Sequence, residues 1–475
     1  MIAAATLAGI GLLIGLHDWR RGLLLCLVVG FLQDPLRKVT PGQPVAFVVL
    51  VGVVFVGCAL GFLFRRGSAG VREFFGWYPG LRAPMAMFVL IVALQSVATV
   101  LRTGNPVLAG IGVLSYMSPL VALLLGHGFA RTARDIGRWQ RVYLAGALTV
   151  AVSLLLAFRG VRSPLFASIG ADYVYGQGGG IRMVSGLMRS SELAAWHVST
   201  AACLVLIWAI AHRKARTTWI GSALTLALLL AVLVTGRRKT LGMILIFLVV
   251  FSFLLLRWRR GTTKLVRVLF ALGLTAGSLV LLRSGEGLEA SWNPYFERSY
   301  SVFADAPERL WQMTFLTMKN VVARNGVFGA GAGTGAQGAQ YFGGGVSLVG
   351  GSAEGGLGRV AAELGLPGLA VVLWLALAIL IRLLRLARRL PEVAPQHAVR
   401  FLGLLSLLPA NGVVFLTAHQ TFGDPFVLII VGFIASSALA YPMVALREQQ
   451  AVTLAGEAAS ARRATGERGA EPLPA

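Results

Sequence analysis

Along the chain, apolar residues gather in long unbroken runs, with polar residues confined to short stretches between them. Runs of about 20 residues recur from end to end, and a hydrocarbon layer about 30 Å thick needs a helix of that length to cross it. The runs are continuous rather than alternating, which excludes a β-barrel. The pattern predicts spans at 2–16, 22–33, 44–64, 84–101, 107–129, 141–158, 192–211, 219–235, 241–256, 264–282, 359–381, 399–417 and 424–445. The first two are short and form either a tight hairpin or one broken span, so the total is about 12 or 13. The expected fold class is all-α, a polytopic transmembrane helix bundle with one large outward-facing loop.

Composition agrees. The chain is 56% hydrophobic and 13% charged, with mean hydropathy +0.76, whereas about 25% charged residues is usual for a soluble protein. A formal charge of +24 would suit a nucleic-acid binder, but Lys and Arg here sit in clusters between apolar spans, as the positive-inside rule requires. No nucleic-acid partner is expected. Cys26, Cys58 and Cys203 fall in separate apolar runs without metal-ligand spacing and read as small core residues. The run 2–16 has no basic segment before it and is followed by Asp18, Arg20 and Arg21, so it reads as a first membrane segment rather than a cleaved signal.

Charge also orients the spans. The basic loops are 65–83, 130–140, 212–218, 257–263 and 382–398. All of them fit on the cytoplasmic side with the number of spans between them. The same parity puts 102–106, 159–191, 236–240, 283–358 and 418–423 outside. Three regions follow: N-terminal transmembrane helices over 1–184, a second membrane region over 185–445, and a tail over 446–475. The tail is Ala/Glu/Arg-rich without apolar period, and is expected to be disordered and cytoplasmic.

One outer segment breaks the charge rule. Thr235-Gly236-Arg237-Arg238-Lys239-Thr240 puts three cations on the translocated side, which points to an anionic partner; the alternative is that they snorkel to phosphates of membrane lipids. The loop 283–358 is too long for a connector. Within it, Asp305-Ala306-Pro307-Glu308 offers an N-terminal cap, Trp311, Phe315, Met318 and Val322 recur on one helical face, and Asn325-Gly326 supplies a stop. This predicts an amphipathic helix lying on the membrane or over the bundle, either as a working element or as a simple lid. The glycine-rich stretch from Gly329 to Gly358 lacks the Gly-Lys-Ser/Thr of a nucleotide phosphate loop. Its glycines permit close backbone approach and flexibility.

Four motifs, in order along 185–375, resemble the O-antigen ligase and polymerase family. They are Gly186-Leu187-Met188-Arg189-Ser190-Ser191-Glu192-Leu193-Ala194, the Thr235-Gly236-Arg237 turn, Arg309-Leu310-Trp311 through Asn325-Gly326-Val327-Phe328-Gly329-Ala330-Gly331, and Ala361-Ala362-Glu363-Leu364-Gly365-Leu366-Pro367-Gly368-Leu369. The resemblance implies glycan transfer at the outer face of the bacterial inner membrane. The donor would be an undecaprenyl-diphosphate-linked glycan and the acceptor a hydroxyl on a glycan or lipid, with no nucleotide sugar, cofactor or metal. Two elements depart from the family. Glu354-Gly355 stands where it usually has His-Asn, and Ser190-Ser191-Glu192 where it has Asn-Pro-Asn. The departures shift the expectation from ligase proper toward polymerase or exopolysaccharide synthesis.

Such a reaction expels a lipid diphosphate, so it needs cations on the developing charge and a base for the acceptor hydroxyl. Arginine suits the diphosphate through its planar, permanently charged fork. Arg237 and Arg309 are the leading catalytic candidates; Arg238, Lys239 and Arg298 are candidates for diphosphate binding. Glu354 is the candidate base, the alternative being an exposed loop acid. Glu363 reads as structural, paired with Arg359 four residues earlier. Glu192 and His197 lie near the mouth of a span, where a core histidine is the plainer reading of His197. No role is assigned to His419 or Asp424. Two other classes stay open: a transporter or flippase for a lipid-linked substrate, and a non-catalytic partner of a polysaccharide export complex. No internal repeat favours transport, and charged residues within the spans look scarce.

Overall fold

The computed structural model describes residues 2–169, 173–176, 179–212, 214–258, 295, 308, 311–336, 339, 355–417 and 420–466. Ten of the described helices are long and apolar enough to cross a membrane. The chain is an all-α, multi-pass membrane protein. Its only sheet among the described residues is a two-stranded antiparallel hairpin, β1 (Tyr173–Gly176) and β2 (Gly179–Arg182). The expected span at 264–282 lies outside the described residues, as do Arg213, Arg259 and Arg260 of the basic loops.

The opening runs form a hairpin. Helix α1 (Ile2–His17) and α2 (Trp19–Val39) meet at Asp18, whose Oδ1 accepts from the backbone N–H groups of Arg20 and Arg21 at 3.1 and 3.2 Å. They pack on α3 (Leu50–Trp77). A side chain at Gly61 of α3 would start 2.3 Å from the Gly15 carbonyl oxygen, so only small residues allow this approach. Helix α2 runs beyond the expected end of its span, and its last turns bury Asp34, Arg37 and Lys38. Charged residues within helices are therefore less scarce than the hydropathy pattern suggests.

Local chemistry fixes the next boundaries. Helix α4 (Arg82–Thr103) stops at Gly104, which takes a left-handed conformation, and α5 (Pro106–Phe129) starts from the Asn105 cap with proline in its first turn. Helix α6 (Ala133–Phe158) opens with a capping box between Thr132 and Asp135. Helix α7 (Ser191–Ala211), capped by Ser190, is buried almost throughout. Being apolar on all sides, it sits at the centre, against α6, α8 (Ala215–Leu233), α9 (Arg238–Arg257) and the penultimate described helix. After α10 (Thr317–Asn325) come α11 (Gly356–Val393), α12 (Pro395–Thr417), which is that penultimate helix, and α13 (Pro425–Gly466).

Two expectations need correction. Residues 446–466 continue α13 as helix rather than forming a disordered tail, because alanine, glutamate, glutamine and arginine are strong helix formers. The amphipathic segment is helical over 311–325, but its stripe is not the expected one. Trp311 and Phe315 stack on each other at 4.6 Å and are exposed, while Thr317 and Val321 face the bundle. A π-turn at 312–316 inserts an extra residue and rotates the following face away from the preceding one. The cap at 305–307 lies outside the described residues.

Pairings between distant segments define two ends of the bundle. At one, Arg20 meets Asp135 at 3.2 Å, Arg66 and Arg447 both meet Glu73 at 3.0 Å, and His397 meets Glu448 at 2.8 Å. At the other, Arg189 meets Asp34 and Asp424, Arg237 meets Glu192, and Arg102 donates to the Gly329 carbonyl at 2.6 Å.

Candidate functional site

The second end carries three clusters of charge. The first grows from the turn between α8 and α9. Gly236 adopts φ +67°, a left-handed conformation that lets the chain reverse at once. Arg237 follows, its backbone N–H donating to Thr235 Oγ1 at 3.3 Å. Its guanidinium turns back onto the start of α7, donating from Nε to Ser191 Oγ at 2.8 Å and from Nη1 to Glu192 Oε1 at 3.0 Å. Lys239 Nζ lies 3.9 Å from the same carboxylate oxygen.

Among the described residues Arg237 and Lys239 share the Glu192 carboxylate, and the Arg237 side chain is 24% exposed. Nη2 makes no hydrogen bond among the described residues. Burial lowers the Arg237 pKa, partly offset by Glu192, but arginine remains charged at any physiological pH. Tyr295 closes the far side and donates to the Arg182 carbonyl at 2.5 Å. Burial raises its phenol pKa, so the hydroxyl keeps its proton.

The second cluster is a clamp. Arg189 Nη1 donates to Asp34 Oδ1 at 3.1 Å and its backbone N–H to Asp34 Oδ2 at 3.0 Å, while Nη2 meets Asp424 Oδ2 at 2.5 Å. Asp424 Oδ1 also caps α13, accepting from Phe426 N–H at 2.7 Å. One arginine thus ties α2, the start of α7 and the start of α13. Burial works against its charge, but Asp424 and then Asp34 outweigh that and raise its pKa. Below it, His197 is fully buried among Phe31, Trp196 and Phe426, with Nδ1 3.1 Å from the Tyr143 hydroxyl. That is a core histidine.

The third cluster is built around a break in α11. Gly365 takes φ +73° there, and Pro367 follows. The break frees backbone groups that the glycine stretch satisfies: Ala330 and Gly331 donate to the carbonyls of Ala362 and Glu363, and Leu366 donates to Val327. The Glu363 side chain is wholly buried and accepts from Arg359 Nε at 3.0 Å, Gly333 N–H at 2.9 Å and Gly335 N–H at 3.1 Å. The expected Arg359–Glu363 pair is present. Of the two uses its glycines allowed, the stretch 329–336 shows close backbone approach, wedged between α4, α5 and α11. A side chain at Gly333 would start 2.0 Å from the Leu108 carbonyl oxygen, so glycine there serves close approach.

Of the sequence candidates, Arg237 and Lys239 come together with Glu192, and Arg238 follows Arg237 as the first residue of α9. Arg359 and Glu363 form a separate, buried pair. Arg298, Arg309, Glu354 and His419 lie outside the described residues. Sequence reading missed the partnership of Glu192 with Arg237 and the carboxylates Asp34 and Asp424. The signal for Glu192 was an acidic side chain in the first turn of an otherwise apolar span. The four family-like motifs meet in pairs, the α7 start with the 235–237 turn and the glycine stretch with the α11 start. No protein-family model matches the chain, and no curated protein matches it.

Proposed function

We propose that the chain is a lipid-linked glycan ligase or polymerase of the bacterial inner membrane, working at the face away from the cytoplasm. The acceptor hydroxyl attacks the sugar C1, the bond from C1 to the carrier diphosphate breaks, and the diphosphate leaves with the bonding electrons. The observation that carries this reading is Arg237. It is anchored through Nε and Nη1, keeps Nη2 uncommitted among the described residues, and stands beside Lys239 at the end opposite the basic loops. A preorganised guanidinium of this kind stabilises charge developing on a leaving phosphate at little reorganisation cost. Glu192 and Ser191 are positioning residues in this scheme. Arg238, Lys239, Arg298 and Arg309 add to diphosphate binding, and Glu354 accepts the proton of the acceptor hydroxyl.

Transport of the lipid-linked glycan is the second reading, favoured by the break in α11. That break falls roughly 14 Å from the helix start at 1.5 Å per residue, and loop backbone fills it rather than a cavity. Catalysis therefore leads. Purified protein supplied with a short undecaprenyl-diphosphate glycan should release the lipid diphosphate and lengthen or transfer the glycan. Arg237→Ala and Glu354→Gln should each slow this by roughly a hundredfold. Full activity in both variants would reject the assigned roles, and glycan crossing vesicles without bond formation would favour transport.

A further inference from the structure

Beside the Arg237 cluster lies a cavity that the transfer step leaves unused. It has a volume of about 630 Å³, is partly open, and is formed within the segment joining α6 to α7, lined by Ser163, Phe166, Ser168 and Ser185 and by the exposed side chains of Arg162 and Arg182. Pockets of about 300–1,000 Å³ hold small organic ligands; a bare phosphate would fill a small part of this one. Arg162 and Arg182 have no acidic partner among the described residues, and no described carboxylate lines the space. Asp172, in the same loop, lies outside the described residues.

A lysine braces the wall from behind. Lys38, buried at the end of α2, donates to the Gly186 carbonyl at 2.6 Å and to Ser185 Oγ at 3.4 Å. Ser185 in turn shares a hydrogen bond with Ser168 across the wall at 3.2 Å. Asp34, one turn before Lys38, is already held by Arg189. The cavity therefore combines two forked cations, hydroxyl groups that can donate or accept, and the flat apolar ring of Phe166. That set fits a sugar bearing a carboxylate.

The cavity also adjoins the cation turn. Met183 lines it and touches Ser191 Oγ at 3.6 Å, and Tyr295 bonds the Arg182 carbonyl on the other side. A chain lodged here would lead away from a diphosphate at Arg237 along a shared wall.

We propose that this cavity, through Arg162 and Arg182, binds an acidic oligosaccharide segment of the uronic-acid type. The assignment rests on the glycan-transfer reading for its biological meaning, but its test does not need transfer. The full chain in phosphatidylcholine nanodiscs is titrated with a trigalacturonate and with the neutral trisaccharide maltotriose. The acidic sugar should bind more tightly than the neutral one, and more weakly as salt rises. Arg162→Gln and Arg182→Gln should each weaken its binding about tenfold, and the pair more. Lysine at both positions should restore part of the affinity, while Arg237→Gln should leave it within about twofold. Equal binding of the two sugars, or indifference to both arginine changes, would overturn the proposal. So would loss of binding only in Arg237→Gln, which would place the anion at the turn. Loss of trigalacturonate binding in phosphatidylglycerol nanodiscs would assign the cavity to a lipid headgroup and reject the sugar. If trigalacturonate binds as expected but no glycan is transferred, the transfer reading falls and the cavity assignment stands.

Discussion

Arg237–Glu192 and Arg359–Glu363 are the same pair of residue types at the same end of one bundle, yet they are built for different work. Glu363 is wholly buried, and its two oxygens take a guanidinium and two backbone N–H groups. Both oxygens are engaged within the fold. Glu192 and Arg237 stand at the bundle's edge, with a second cation near and a donor to spare among the described residues. The buried pair joins backbone segments; in the proposed reading the partly exposed pair is the one that meets substrate.

The largest effect should come from breaking the joint. Arg359→Ala leaves the Glu363 charge buried without its cation, a change that costs about 3–5 kcal/mol. Detergent-solubilised protein should melt well below wild type or fail to accumulate. Replacing both residues by leucine should cost less than the sum of the two single leucine changes, and additive losses would show that the two do not act as a pair. Arg237→Gln should reverse the profile: glycan transfer falls by roughly a hundredfold, while the melting temperature stays within a few degrees. A variant that is active but unstable would erase the contrast between the clusters.

Gly333→Ala probes the joint through its backbone. The added carbon meets the Leu108 carbonyl in a left-handed conformation, φ +88°, and should cost about 1–3 kcal/mol in a thermal melt. Glu192→Gln should be milder still. It keeps a hydrogen-bond acceptor for Arg237 but loses the charge, so transfer should slow by about tenfold with the fold intact. A drop equal to that of Arg237→Gln would promote Glu192 from positioning to direct participation.

The spans were readable because a bilayer imposes one length and one polarity on each of them; the described helices cover the expected spans, though α2, α3, α11 and α13 run well past their expected ends. Arg359–Glu363 was readable for a related reason: partners four apart on a helix meet by geometry alone. Glu192 and Arg237 are 45 positions apart and Asp34 and Arg189 are 155 apart, so only tertiary packing reveals them. The stripe Trp311, Phe315, Met318, Val322 was sound as an α-helical pattern but failed at the π-turn, which periodicity cannot foresee. The glycine stretch left looseness and close contact both open, because glycine allows either; neighbouring backbone decides between them.

The docking of 327–336 against the broken start of α11 has a consequence for biogenesis. The donors at Ala330 and Gly331 precede in synthesis the carbonyls of Ala362 and Glu363 that receive them. Until α11 is inserted, this stretch has no such acceptors, and α11 enters the bilayer with an open turn. Assembly of this end must therefore finish after translation has passed residue 366, by closure of an earlier segment onto a late helix.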